Sequence, residues 1–417
     1  MKSSKRKISL AVAFVVTGFG AVAAAQAAPL LGGGSTLVQP TITVEGTGVL
    51  SYWGVGSGLG QTAFLNNDAT KFTSVVTGTT LTASGTVDFA NSDAPLSAAQ
   101  ISAYASSTVG QSSGALIQIP YITTPITIPL VHAPAGNGPA FTNDPSNTPT
   151  VALNDADLCG IFSGAISDWK DVQNPDTGSN YPAGAITVIY RSDNSGTTDL
   201  LTAHLAQVCP APIGQVTKFI ETQNFASLFP SSQPPANFKS ASGSGGVAGL
   251  LLAQSGAAIG YLSPDYTNKF LAPSSTTAQQ NNLSVASLRL AGTTTDVLPT
   301  FANASLAVGT VAAPTTLVRA RVQTNWVPAA SNPTAGYPIS GTSQIIVSQC
   351  YADSTAASAV VNFLKTHYNS NAALLNGNGF ATVPSSYLTA IGADFLSNTS
   401  GFNLDIGNTS VCTVTGR

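Results

Sequence analysis

Charge is what this sequence has least of: Asp, Glu, Lys and Arg make up only 8% of its 417 residues. The 15 Lys and Arg against 18 Asp and Glu give a formal net charge of −3, and Lys2, Lys5, Arg6 and Lys7 all fall at the extreme N-terminus. The remainder is therefore more acidic still, and it contains no run of Lys or Arg. That excludes the electrostatic footprint which nucleic acid or an anionic membrane surface requires. An anionic ligand has to be held by local geometry, against the bulk charge. Histidine is nearly as scarce: His132, His204 and His367 stand in unrelated contexts. They offer neither a metal pair nor the base of a nucleophilic site, so each reads as structural and no catalytic residue is assigned. The four cysteines, Cys159, Cys209, Cys350 and Cys412, form no CxxC pair, and their wide spacing argues against zinc.

Long apolar runs are missing beyond the N-terminus, so no later stretch spans a bilayer. The N-terminus itself has basic residues over 2–7, an apolar run over 8–22 and the small-x-small tripeptide Ala25-Gln26-Ala27. This is the pattern of a secretory signal peptide over 1–27, with a soluble mature chain starting at Ala28. The other reading, a membrane anchor, is disfavoured because the run falls short of the roughly 20 apolar residues a span needs. No Cys follows the cleavage site, which argues against a lipid anchor. In an oxidising compartment an even number of cysteines reads as disulfides. Of the three connectivities, Cys159–Cys209 with Cys350–Cys412 closes the shortest loops and keeps each bridge within one half of the chain; four free buried thiols are the alternative.

What the chain does have is apolar residues, 43%, with 39 Gly and 25 Pro. That supports the cores of two or three domains. Apolar, β-branched runs alternate with helical patterns, the mark of an α/β protein with a mostly parallel sheet. Strands are expected over 115–119, 126–132, 185–191, 257–262 and 343–348, and helices over 61–65, 154–162, 198–208, 247–254 and 354–367. The Pro-, Gly- and Asn-rich stretch 133–150 reads as a surface loop. Over 271–338 the pattern is weak, with one expected strand at 316–322.

Three stretches share one design, a turn rich in glycine and hydroxyls that runs into a helix: Gly32-Gly33-Gly34-Ser35-Thr36-Leu37, Gly54-Val55-Gly56-Ser57-Gly58-Leu59-Gly60, and Arg191-Ser192-Asp193-Asn194-Ser195-Gly196-Thr197-Thr198. A helix start presents unsatisfied N–H groups and the positive end of the dipole, and glycine lets the backbone come close, so each is a candidate anion cradle. The plain alternative is an N-cap without a ligand. The second stretch opens as G-x-G, but no ribose-binding acid follows it in a βαβ setting, and a dinucleotide is set aside. Arg191 ends an apolar strand, where a guanidinium can grip an oxyanion with two prongs, and Asp193 is spaced to hold it in place. Asp93 ends Val87-Asp88-Phe89-Ala90-Asn91-Ser92-Asp93; its other reading is a helix cap before Pro95.

At these residues the sequence resembles the phosphate-binding proteins of bacterial high-affinity phosphate ABC transporters, the PstS family. Its Gly32-Gly33-Gly34 opening and cysteine usage are similar to the DING-type branch. The resemblance is carried by the stretches above together with Ala94-Pro95-Leu96-Ser97, Ile161-Phe162-Ser163-Gly164-Ala165-Ile166-Ser167-Asp168-Trp169, Ala257-Ala258-Ile259-Gly260-Tyr261 and Gly336-Tyr337-Pro338-Ile339-Ser340. Only 133–150 and 271–332 match less well. The resemblance implies a periplasmic-binding-protein fold, two α/β lobes joined by crossovers near 119–125 and 337–341. Lobe I would comprise 28–123 and 340–417, lobe II 124–339, with the ligand in the cleft. It implies that inorganic phosphate is held by Thr36 (hydroxyl and amide), the Leu37 amide, Ser57, Asp93, Arg191, Ser195, the Gly196 amide and Thr197, with Asp193 in support. Leu37 stands where an aromatic is often found, which matters little to an amide donor. No cofactor or metal is implied. The implied role is a monomeric periplasmic or secreted receptor that serves an ABC permease; the alternatives are a secreted DING-like phosphomonoesterase and a secreted surface or matrix protein that captures phosphate.

Overall fold

Two five-stranded sheets organise the molecule, a computed structural model that describes residues 29–328 and 330–417. The signal peptide expected over 1–27 lies outside the described residues. Among them, no helix is long and apolar enough to cross a membrane.

The first sheet has the order Leu50–Gly54, Leu30–Gly34, Phe89–Ser92, Ser340–Ser348, Leu116–Pro125. Its first three strands are mutually parallel, and Ser340–Ser348 runs antiparallel to both neighbours. The second sheet has the order Phe238–Ala241, Thr187–Arg191, Ala258–Ile259, Pro129–Val131, Ser284–Val285. There too the first three are parallel, and Pro129–Val131 runs antiparallel to both of its neighbours. The sheets are thus mixed, where the alternation of strands and helices predicts mostly parallel pairing. The cause is topological. The chain leaves the first sheet through Leu116–Pro125 and returns to it through Ser340–Ser348, and neighbouring strands that carry the chain out and back must be antiparallel.

Both long strands are buried along their whole length; Leu116–Pro125 reads as a largely apolar and β-branched run, whereas Ser340–Ser348 buries Ser, Thr and Gln side chains in its first half and Ile345, Ile346 and Val347 in its second. Their pairing slips between Ser343 and Gln344, and such irregularities re-aim side chains beside sites. We call the bodies built on the two sheets the first and second lobe; the architecture is the periplasmic-binding-protein fold.

The second lobe's site helix, Gly196–Val208, is tied at its far end by the Cys159–Cys209 disulfide to the helix Asp155–Ser163. Cys350–Cys412 fastens the C-terminal tail beside the end of Ser340–Ser348. Bridges that close loops of 50 and 62 residues each stabilise on the order of 4 kcal/mol in the chain-entropy picture. The strand expected at 316–322 is instead a short helix, Leu317–Ala320, because the Thr316 side chain accepts from the Arg319 amide and so caps a helix start. Just after it, buried Trp326 donates from Nε1 to the Ala320 carbonyl and packs edge-on against Tyr387 and Phe395. The 133–150 stretch forms no helix or strand beyond an isolated bridge between Gly138 and Thr150.

Candidate anion site between the lobes

The first lobe contributes three turns at the ends of its parallel strands. Strand Leu30–Gly34 ends on Gly34, whose φ is +130° and where a Cβ would lie 2.2 Å from the Asn91 carbonyl oxygen. Only glycine suits both conditions, and the chain can turn there through Ser35, Thr36 and Leu37 into the helix Gln39–Glu45. Gly56, with φ +90°, similarly leads into Ser57–Asn66. Asp93 follows Phe89–Ser92 and is 1% exposed. Ser35 Oγ donates across its two carboxylate oxygens at 2.7 and 2.8 Å, Ser343 Oγ donates at 2.7 Å, and the Asp93 amide donates to Ser57 Oγ at 3.2 Å. Burial pushes the Asp93 carboxyl above the usual range, against the hydroxyls of Ser35 and Ser343 and the charge of Arg191. Asp93 caps no helix: the next one, Ala98–Ser106, is capped by Ser97 in a capping box with Gln100.

The second lobe brings Arg191 at the end of Thr187–Arg191, with 2% exposure. Its Nε and Nη2 grip Asp193 Oδ1 and Oδ2 at 2.7 and 2.5 Å, while Nη1 points at Ser244 Oγ, 3.4 Å away. The two-pronged grip is therefore used on Asp193, and the edge formed by Nη1 and Nη2 is what remains for a ligand. Burial would raise the Asp193 carboxyl, but the hydrogen bonds and charge of Arg191 and the Gly243 amide outweigh it and hold it below its ordinary value. Ser195 caps the helix Gly196–Val208 by accepting from the Thr198 amide. Thr197, 1% exposed, has a hydroxyl with no hydrogen-bond partner among the described residues.

The eight expected ligand residues meet at one place. Gly196 abuts Asp93 and Ser57, Thr36 meets Ser244 beside Arg191, and the Leu37 amide donates to Ser35 Oγ at 3.1 Å. Sequence reasoning did not assign Ser35, Ser244, Ser343 or Tyr261, which accepts from the Arg191 amide and pairs with Thr198 Oγ1. Ser244 had a signal: Ser242-Gly243-Ser244-Gly245-Gly246 is a fourth glycine and hydroxyl turn before a helix. Ser343 lies inside an ordinary strand and had none. Among the described residues, no three His, Cys, Asp or Glu side chains converge as metal ligands.

The PBP superfamily domain matches residues 36–366 of the chain. Alkaline phosphatase L of Pseudomonas aeruginosa strain UCBPP-PA14 is 39% identical over 420 residues, covering 95% of this chain and 96% of the relative. A phosphate-binding protein from an unknown prokaryotic organism is 34% identical over 407 residues, covering 93% and 99%. The solved structure of PfluDING, a high-affinity periplasmic phosphate-binding protein bound with phosphate, superposes with a TM-score of 0.76 at 35% identity, covering 94% of this chain and 99% of that one.

Proposed function

This chain belongs to the PBP superfamily and, within it, to the phosphate-binding DING-type proteins, and on that premise we propose that it is an extracytoplasmic receptor for inorganic phosphate. Phosphate would sit between the lobes, on Thr36, the Leu37 amide, Ser57 and Asp93 from one side and on Arg191, Ser195, the Gly196 amide and Thr197 from the other. Bridging both lobes, it favours their closed arrangement. The observation that carries this reading is the Thr197 hydroxyl, buried and without a hydrogen-bond partner among the described residues, in the first turn of the helix whose Gly196 abuts Asp93 and Ser57. A buried donor left unsatisfied costs roughly 1–3 kcal/mol, and an oxyanion at that point satisfies it together with the free edge of Arg191.

Relatives carry both phosphatase and phosphate-binding names; capture rather than hydrolysis is supported by the fit of the lobes. Hydrolysis of an ester needs room for its alcohol portion beside the phosphoryl group. On the Gly196 side there is none: a Cβ there would lie 2.5 Å from Asp93 Cβ and 2.6 Å from Ser57 Oγ. A receptor of this kind works as a periplasmic or secreted monomer and hands its ligand to an ABC permease.

Calorimetric titration of the wild type and of Arg191→Ala tests the proposal. Truncating one partner of a buried charged contact costs about 2–5 kcal/mol, so the variant should bind phosphate at least about 30-fold more weakly at a temperature where it remains folded, its melting temperature falling because Asp193 loses its partner. Arg191→Lys should also fail, since a point charge cannot hold Asp193 and the anion with one planar group. Near wild-type binding by either variant would remove Arg191 from the site.

A further inference from the structure

We propose that Ser244 is a positioning residue which turns the Thr36 hydroxyl into a hydrogen-bond donor for the anion, and does so only when the lobes are together. The inference rests on the phosphate reading above and goes beyond its ligand set. Ser244 is fully buried near the start of the helix Gly243–Leu252. Its Oγ lies 2.9 Å from Thr36 Oγ1, its amide donates to the same Thr36 oxygen at 3.0 Å, and Arg191 Nη1 approaches Ser244 Oγ at 3.4 Å.

One direction of this chain gives each of its hydroxyl protons a partner. A guanidinium can only donate, so Ser244 Oγ is an acceptor toward Arg191. The single Ser244 hydroxyl proton is then free to go to Thr36 Oγ1. With the Ser244 amide also donating there, both acceptor positions of the Thr36 oxygen are filled. The proton of Thr36 is left for a third group, and Thr36 makes no other side-chain hydrogen bond with the described residues. An anion, which offers only acceptors at its ionised oxygens, takes that proton. The opposite direction, Thr36 donating to Ser244, would leave the Ser244 proton without a partner among the described residues and Thr36 with nothing to give the ligand.

Thr36 follows a strand of the first sheet and Ser244 follows a strand of the second, 208 residues away. The pair forms across the cleft, so the setting of Thr36 exists only in the closed arrangement. Ser244 thereby links ligand recognition to closure without touching the ligand.

Phosphate titration and stopped-flow dissociation of wild type, Ser244→Ala, Thr36→Val and the double variant test this. Ser244→Ala should weaken phosphate binding about tenfold, chiefly through faster dissociation, with unchanged melting in the absence of phosphate. In the Thr36→Val background the same change should cost less than about twofold, because Ser244 acts through Thr36. Should the alanine variant melt below the assay temperature, Ser244→Cys, of similar size but a weak donor, takes its place under the same criterion. An equal loss in both backgrounds, or near wild-type binding by Ser244→Ala, would overturn the inference. A wild type that binds no phosphate would instead refute the reading on which it rests.

Discussion

Gly196 and Asp93 meet across the cleft with no space for a methyl group between them, although they belong to different lobes. Gly196 is not among the glycines with positive φ, so contact rather than backbone conformation requires glycine here. The closed cleft is thus a packed interface, and its fit depends on the absence of a side chain at Gly196.

Gly196→Ala should therefore penalise the closed state. Overpacking costs typically about 1–3 kcal/mol, so phosphate affinity should fall by roughly 5- to 150-fold. Stability without phosphate should hold or rise slightly, alanine being the better helix former. Titration alongside a thermal melt checks both; unchanged affinity would mean that the two residues part when phosphate binds.

Glu45 ends the helix that begins just after Leu37, and its buried carboxylate takes hydrogen bonds from His367 Nδ1 at 2.6 Å, from Asn371 at 2.5 Å and from the Tyr121 hydroxyl. His367 Nε2 faces the Tyr121 carbonyl at 2.7 Å. Burial would raise the Glu45 carboxyl, but His367, Tyr121 and Asn371 together hold it below its ordinary value. A carboxyl lowered in the folded state stabilises fully above its unfolded value, about 4.3, and loses that stabilisation as pH falls through the folded value. Wild-type melting should accordingly drop on acidification below about pH 4.5, while Glu45→Gln should lack that component. At pH 7 the variant should be less stable by roughly 1–3 kcal/mol, the cost of disturbing hydrogen bonds to a buried charged group. Parallel melting curves for the two proteins from pH 3 to 7 would contradict this.

Arg417 is a second buried cation, serving structure rather than the site. It donates to Ser348 Oγ at 2.7 Å and to the Val87 and Phe64 carbonyls at 2.9 Å each, with its guanidinium 3.8 Å from the Phe64 ring centre. Arg417→Ala leaves buried carbonyls without donors and should destabilise by about 2–4 kcal/mol, read as a lowered denaturant midpoint, with phosphate affinity at 25 °C preserved. A parallel loss of affinity would show that the tail supports the site.

How much of this was legible in the sequence depended on the range of the interaction. Arg191 and Ser195 could be read because strand, turn and helix start follow each other locally, and hydroxyls after glycine have a limited set of uses. Asp93 was ambiguous between ligand and cap until the fold brought Ser35 from 58 and Ser343 from 250 residues away. No local pattern encodes such a meeting. The misread strand at 316–322 shows the opposite failure: Thr316 is β-branched like a strand residue but acts here through its oxygen, as a cap. The mixed sheets followed from where the chain crosses between lobes, which periodicity does not report.

The most direct test of the phosphate reading is calorimetric titration with phosphate and with sulfate, on the wild type and on Asp93→Asn. Near neutral pH phosphate keeps at least one proton and sulfate keeps none. With Ser35 and Ser343 donating to its carboxylate, Asp93 faces the anion as an acceptor and can take that proton in a charge-assisted hydrogen bond. Sulfate has nothing to donate, and its oxygens would meet an unpaired buried charge. The wild type should bind phosphate and ignore sulfate, and Asp93→Asn should narrow the gap by offering sulfate a donor. Equal binding of both anions by the wild type, or an Asp93→Asn variant that keeps the full preference, would contradict the role assigned to Asp93 at the centre of the site.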